Sequence, residues 1–555
     1  MAARWQIALV VKDAGATQIG LLLTRVRSPP PSSSSSQCSP HFSFQDSDLW
    51  DLPSAPLALT SQNKGAAAGA EDENLITESA ELKEVAENVA RDLEGAGLPH
   101  FNCIEAVEKI QSLVIPVEVS RVTWKFCRLL EEPDFGPGDR LHTAVFIVQT
   151  HAIKTSGGDV HWFTYPNVYK LLVQAEIGEK RIGLLAAIGF SLFTDNLLSK
   201  NCVDVPGQEY PPGITILPME SRTLKPFSKT NLVVIASARP VQKDEKNEKL
   251  LTFGDSLIVD PGSSSVAAKA HLARIIKSLP EKLLVFLTHH HVDHIEGLTI
   301  VQQQNPQAII LAHESTLKRA GKAVKAFDCM AVSGGARLLV AGQELEIIAA
   351  PGHTDSHLAL FHLGVRTLIA GDHCVGEGSS FLDADSGGNM QEYLCTTRQF
   401  IELRPHFIVP MHGRPNFWPI HLLKGYIRHR EARELKILKA IENGARTAYE
   451  IVSEAYKETP ATAWPAALHN VKLHVEHLNQ SNSLPLDFSI KAFQNSSGAA
   501  FFFNHVPTAV SEVIRSCMSY RHKAALSGIS GSIVLVVAIG LSLLWAKCKH
   551  YHARA

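Results

Sequence analysis

The chain has 555 residues, 45% of them apolar, and 53 Lys and Arg stand against 55 Asp and Glu for a formal net charge of −2. That length implies about two to four domains with substantial cores. The balanced charge excludes a global basic field of the kind that marks a nucleic-acid binder, so any such contact needs a local patch. The nine cysteines are scattered. Without a Cys-x-x-Cys pair they argue against a disulfide scaffold and fit a reducing compartment.

The amino-terminal residues lack the apolar run and small-residue cleavage site of a secretory signal. Segments 7–11 and 19–26 read as strands. A Pro/Ser-rich stretch at 29–40 and a small-residue stretch at 66–70 read as loops. A helix is predicted over 78–94, with Leu82, Val85, Val89 and Leu93 on one face. Strands near 143–149 and 160–165 and a helix near 166–175 follow. This order, with Trp50-Asp51-Leu52-Pro53 before the first helix, resembles the Nudix hydrolase fold. The resemblance implies clustered glutamates on that helix to bind Mg²⁺. Glu94 and Gly97 are kept, but Gly95 stands where a metal-binding Glu is expected. Residues 1–201 are therefore expected to form an α+β, Nudix-like domain without pyrophosphatase activity. The alternative is an unrelated α+β accessory domain.

Residues 202–229 read as a connector. Segments 231–235 and 256–259 flank a charged loop and read as a hairpin, and a Ser-capped helix is expected over 263–277. The five apolar residues 283–287 then run into Thr288-His289-His290-His291-Val292-Asp293-His294. A buried strand ending in a fan of imidazole and carboxylate groups suits Zn²⁺. Four further apolar runs end on candidate ligands in the same way: Asp260-Pro261-Gly262, Pro351-Gly352-His353, Gly371-Asp372 and Met411-His412-Gly413. In layered α/β folds, functional groups gather at the carboxyl ends of strands.

These five motifs, within 230–478, resemble those of the metallo-β-lactamase superfamily. The stretch Ala350-Pro351-Gly352-His353-Thr354-Asp355-Ser356-His357, followed by Gly371-Asp372 and Gly376-Glu377-Gly378, is similar to the beta-lactamase-like protein 2 group of metal-dependent endoribonucleases. The resemblance implies an αββα sandwich over 230–424 that carries two divalent ions, Zn²⁺ or Mn²⁺. It implies that His289, His291 and His353 hold one ion, that Asp293, His294 and His412 hold the other, and that Asp372 bridges them. Asp260 would orient ligands from behind, and Asp293 and Asp260 are the expected catalytic carboxylates. Residues 376–388 form a Gly/Ser/Asp-rich loop beside the site. Gly376, Gly378, His357 and Arg428 are the expected substrate contacts.

A long helix is expected over 421–442, carrying Lys424, Arg428, Arg430, Arg433, Lys436 and Lys439. It reads either as a solvated face or as a phosphate-contacting surface. Thr447-Ala448-Tyr449-Glu450 reads as a capping box. With a third helix over 462–478 and a short wing over 481–493, residues 425–493 resemble the winged-helix tail of the same ribonuclease group. After a linker at 494–523, the uncharged, mostly apolar stretch 524–546 is long enough to span a bilayer, which takes about 20 residues. It is expected to be a single-pass tail anchor that leaves the catalytic domains in the cytosol, at a mitochondrial or other organelle membrane.

The expected activity is a metal-dependent hydrolase, an endoribonuclease-type phosphodiesterase acting on single-stranded RNA through a metal-bound hydroxide. Two alternatives stand beside it. One is a glyoxalase II-like thioesterase acting on a small thioester, and the other is a non-catalytic membrane-tethered scaffold.

Overall fold

The structure is a computed structural model that describes residues 3–13, 20–26, 49–59, 80–114, 123–150, 158–177, 180–192, 207–236, 250–506 and 508. The segments 29–40, 66–70 and 524–546 lie outside the described residues, and so does the expectation of a membrane anchor. Among the described residues, no helix is long and apolar enough to cross a membrane. Contacts divide the chain into two compact units. One draws on Met1–Ala350, Ser356–Phe381 and Arg398–Leu423, the other on Pro351–Asp355, Leu382–Thr397 and residues from Lys424 onward.

In the first unit, the amino-terminal region is α+β. Its five-stranded sheet runs in the order Phe101–Asn102, Ser54–Leu59, Ala3–Asp13, Arg140–Thr150, Lys125–Glu131. The helix Ala80–Gly95 buries Leu82, Val85, Val89 and Leu93, the face read from its spacing. These residues join Ile7, Leu9, Val107, Ile110 and Phe146 in one core. A four-stranded sheet built on Gly20–Val26 completes the region.

The rest of this unit is two facing sheets with helices outside. The seven-stranded sheet has Lys229–Ala236, Ser256–Val259, Leu283–Phe286 and Ile309–Ala312 side by side at its centre. Because strand side chains alternate between faces, each apolar run serves two cores. Leu257, Val259, Leu284 and Phe286 point to the six-stranded sheet, where Leu345, Ile347, Leu358 and Leu360 meet them. Ile258, Leu283 and Val285 point outward and pack on Leu272, Ile275 and Ile276 of the helix Val266–Ser278. Ser265 caps that helix by accepting from Ala268 N at 3.1 Å. The core between the sheets is continuous with Val10, Leu21, Trp50 and Phe190 of the amino-terminal region.

One segment differs from its reading. Residues 202–229 are not all connector, because Ile214–Glu220 is a full strand paired antiparallel with Lys229–Ala236. Pro218 obscured it, since proline is uncommon inside a sheet.

The second unit contains the helices Ala448–Ala455, Trp464–Gln480 and Ile490–Ser496, packed with Ile437 and Ile441 of Pro419–Glu442. Thr447 and Glu450 form the predicted capping box. The predicted wing does not form as strands. Residues 481–489 are turns, and Ser489 then caps Ile490–Ser496 by accepting from Ala492 N. Ser and Pro suit a turn followed by a helix cap as well as a hairpin loop.

Candidate metal centre

The strand Leu283–Phe286 is wholly buried. Leu287, Thr288 and His289 continue it at 0% exposure. The short helix Val292–Ile295 then carries Asp293 and His294 into the same buried space. The neighbouring strand Ser256–Val259 ends on Asp260, whose φ of 50° is uncommon for a residue with a side chain. The turn after it depends on Gly262. A Cβ there would come within 1.9 Å of the Asp293 carbonyl, so the two ligand-bearing turns touch backbone to backbone.

Asp260 is fully buried, and its carboxylate bonds to Thr288 and His294 of this cluster. Thr288 donates its N–H to Oδ1 at 2.8 Å and its hydroxyl to Oδ2 at 2.6 Å. His294 Nδ1 lies 2.9 Å from Oδ2. A ring that donates from Nδ1 to a carboxylate presents the lone pair of Nε2, the arrangement common among metal-ligating histidines. The Thr288 hydroxyl has donated to Asp260, so it can accept from His289 Nδ1, which lies 2.9 Å away. That leaves His289 Nε2 facing inward too.

His294 Nε2 is buried without a hydrogen bond. It lies 3.4 Å from Asp372 Oδ2 and 3.7 Å from Asp293 Oδ2. His412 Nε2 lies 3.3 Å from each of those oxygens. One ligand atom each from Asp293, His294 and His412 can be drawn within 4.8 Å of one another, and the same holds for His289, His291 and Asp372. Buried imidazole nitrogens and carboxylate oxygens aimed at a common point fit a divalent ion of Zn²⁺ type.

The electrostatics fit a cation as well. Burial opposes a charge on His294, yet the carboxylates of Asp372, Asp293 and Asp260 hold its pKa well above the usual histidine value. Burial also opposes a charge on His412, and Asp372 and Asp293 lift it to about 10. Asp293 and Asp372 are in turn held well below the usual carboxylate range against burial, Asp293 chiefly by His294 and Asp372 chiefly by His412. The raised histidines and the lowered carboxylates together mark a pocket that favours positive charge.

His412 follows the strand Phe407–Val409. Its Nδ1–H donates to the Lys229 carbonyl at 2.7 Å, and its ring stacks on Phe227. Asn231 pins the same turn by donating its side-chain amide to the carbonyls of Pro410 and Gly413, each at 2.8 Å. Asp372 follows Thr367–Ile369. His357, expected as a substrate contact, is 1% exposed, and its Nε2 accepts from the Asp372 N–H at 3.1 Å. Gly371 permits that approach, since a Cβ would come within 2.3 Å of His357 Nε2.

His353 is 3% exposed on the turn after Gln343–Ala349, in the Pro351–Asp355 segment of the second unit. Gly376 is a packing position, since its N–H donates to the His412 carbonyl at 2.7 Å and a Cβ would strike Arg414 N. Gly378 has φ 81°, and a Cβ there would meet nothing within 4 Å. Arg428 is exposed on Pro419–Glu442. Of the other cations there, Arg430 is 4% exposed over the Tyr393 ring, Arg433 lies over Tyr456, and Lys436 pairs with Glu458. The helix therefore spends part of its positive charge within its own unit.

Sequence reasoning missed Thr288, Lys229 and Asn231. Thr288 had a signal, a hydroxyl placed between the strand and the first ligand. Lys229 had none, because it acts on His412 through a backbone carbonyl.

Residues 252–412 match the metallo-beta-lactamase superfamily, and residues 447–482 match the beta-lactamase associated winged helix domain. The chain carries a metallo-beta-lactamase superfamily domain. A beta-lactamase-like protein 2 homolog from Drosophila melanogaster is 27% identical over 253 residues, which cover 43% of this chain and 83% of that protein. Its namesake from Caenorhabditis elegans is 26% identical over 230 residues, 41% of this chain and 76% of that protein. A crystal structure of a beta-lactamase domain protein from Burkholderia ambifaria aligns at 19% identity and a TM-score of 0.42, covering 53% of this chain and 97% of that one. In the metallo-beta-lactamase domain of this chain, His289, His291, Asp293, His294, Asp372 and His412 stand together at the strand ends, with Asp260 behind them.

Proposed function

We propose that the chain is a dinuclear metal-dependent hydrolase, and that its substrate is single-stranded RNA cleaved at a phosphodiester. The observation that carries the hydrolase reading is the buried set of imidazole and carboxylate donors held by Asp260. The RNA reading rests on the domain order, a metallo-beta-lactamase domain followed by a winged helix domain, and on the likeness to relatives named beta-lactamase-like protein 2 homolog.

In this reading His289, His291 and His353 hold one Zn²⁺ or Mn²⁺, and Asp293, His294 and His412 hold the other. Asp372 belongs to both. Such ions, when bound, lower the pKa of water toward neutrality and stabilise charge that builds on a reacting oxygen. The protein supplies the rest. Asp260 has both oxygens occupied, so it positions His294 and Thr288 and takes no proton from substrate. Asp293 faces His294 and His412, so it would serve as a ligand beside them. His357 Nε2 fixes Asp372 by accepting from the Asp372 backbone N–H. The exposed cations of Pro419–Glu442, Arg428 among them, are the groups that would meet a phosphate backbone.

The test is a side-by-side assay of the full chain loaded with Zn²⁺ or Mn²⁺, offered labelled single-stranded RNA and S-lactoylglutathione, with Asp372→Ala as control. RNA cleavage that the control loses is the expected result. Thioester hydrolysis alone would replace the nuclease reading with the thioesterase one. Silence on both with metal bound would remove the RNA assignment.

A further inference from the structure

Residues 132–139 join the strands Lys125–Glu131 and Arg140–Thr150 of the amino-terminal region. This loop holds two of the chain segments around His412. One is Lys229, whose carbonyl accepts from His412 Nδ1–H. Its ammonium donates to the Asp134 carbonyl at 3.0 Å and lies 2.8 Å from Asp134 Oδ2. The other is Arg414, just beyond His412 and Gly413. Its Nε donates to Glu132 Oε1 at 2.8 Å, and its guanidinium also donates to the Asp139 carbonyl.

The two carboxylates are themselves braced. Arg140 lies 2.7 Å from Asp134 Oδ2, and Leu141 N donates to Glu132 Oε2 at 3.0 Å. The Lys229 and Asp134 side chains are each 17% exposed, so water and salt screen the pair less than a surface one. The backbone around His412 is pinned within the metallo-beta-lactamase domain by Asn231 and Gly376. The Lys229 carbonyl orients its ring together with Phe227 and Thr223, and the loop anchors the Lys229 side chain.

We propose that the 132–139 loop is a positioning device for His412, so that the amino-terminal region sets the affinity of the ion held by Asp293, His294 and His412. The proposal rests on the metal reading of those three residues. Loss of a group that hydrogen-bonds a metal ligand costs about 10–100-fold in affinity, and Asp134 and Glu132 act one step behind such a group, through Lys229 and Arg414, so the lower end of that range applies.

The experiment is a Zn²⁺ titration of the full chain in competition with a chromophoric chelator, with metal content read by elemental analysis and folding by near-UV circular dichroism. Asp134→Asn and Glu132→Gln are compared with Arg181→Gln. Arg181 ties the same region to the His406 and Phe417 carbonyls, away from His412. The expected result is one equivalent weakened about tenfold by Asp134→Asn and by Glu132→Gln, the other within roughly twofold, and neither changed by Arg181→Gln. Asp134→Glu, which keeps the charge, should restore part of the loss. Two equivalents of wild-type affinity in the folded Asp134→Asn and Glu132→Gln variants would overturn the proposal. Equal weakening of both equivalents by all three variants would overturn it too, since the loop would then serve docking alone. Should Asp134→Asn not fold, Glu132→Gln decides. A wild-type chain that takes up no Zn²⁺ would instead defeat the reading of the centre itself.

Discussion

Asp260 Oδ2 lies 2.9 Å from His294 Nδ1, and both residues are fully buried. This hydrogen bond fixes the ring so that Nε2 faces Asp293 and Asp372. Asp260→Ala should therefore weaken Zn²⁺ binding by about 10–100-fold while leaving His294 in the chain. It should also destabilise the folded protein by about 3–5 kcal/mol in the metal-free state, because a buried ion pair loses one partner. Chelator competition and urea unfolding measure the two effects separately.

Metal uptake should release protons. His294 and His412 are both raised above the ordinary histidine value by Asp372 and Asp293, His412 to about 10, so the bare centre favours protonated rings. A divalent ion needs them neutral. Affinity should rise with pH, and binding heats should differ between buffers of high and low ionisation enthalpy. Identical heats in the two buffers would count against protonated ligands.

The metal-free protein should lose stability as pH rises. His412 is lifted to about 10 in the folded chain, so the folded state binds its proton more tightly than the unfolded state. That contribution is fully present below about pH 6.5, the ordinary histidine value, and is lost as pH climbs toward the folded value. The Tm of the chelator-treated chain should therefore drop across this window, while His412→Asn should flatten the drop.

Gly262→Ala places a methyl where only 1.9 Å separates it from the Asp293 carbonyl. The neighbour is backbone, so relief requires moving the turn that carries Asp293. Overpacking of this kind costs about 1–3 kcal/mol or more, and Zn²⁺ affinity should fall with it. Denaturant unfolding together with metal titration checks both.

The cations of Pro419–Glu442 should separate into two kinds. Arg428→Glu and Lys439→Glu lie on exposed positions. They should weaken single-stranded RNA binding and reduce the slope of log K against log salt by about 0.7 for each phosphate no longer neutralised. Arg430→Ala removes a buried side chain stacked on Tyr393 and should lower Tm instead. Filter binding over a salt series and thermal melts distinguish them.

The clustering of strand-end histidines and aspartates was legible because its signal is local. Each apolar run ends on a residue type that binds metal, and the run itself buries the strand that aims it. The helix Ala80–Gly95 was legible for the same reason, through Leu82, Val85, Val89 and Leu93. His412's support was not legible. Lys229 acts through a carbonyl that any residue carries, and Asp134 and Arg414 meet their partners across long stretches of sequence. His357 read as a substrate contact because an exposed role and a buried one look alike in sequence, and only its 1% exposure and its bond to Asp372 N reveal the positioning role. The strand Ile214–Glu220 was hidden by Pro218. The 481–493 segment favours turn and cap chemistry equally in a wing or a helical linker, and packing of Phe493 into the helical core decides it.

A two-metal centre built from the buried His and Asp set fixes how much metal the chain holds. The most direct test is the Zn²⁺ content of the full chain after equilibrium dialysis, by elemental analysis, for the wild type, His412→Ala and Asp372→Ala. The expected content is about two ions per wild-type chain, with His412→Ala retaining about one and Asp372→Ala losing affinity for both. A wild-type content well below one ion, or the same content in all three proteins, would contradict it.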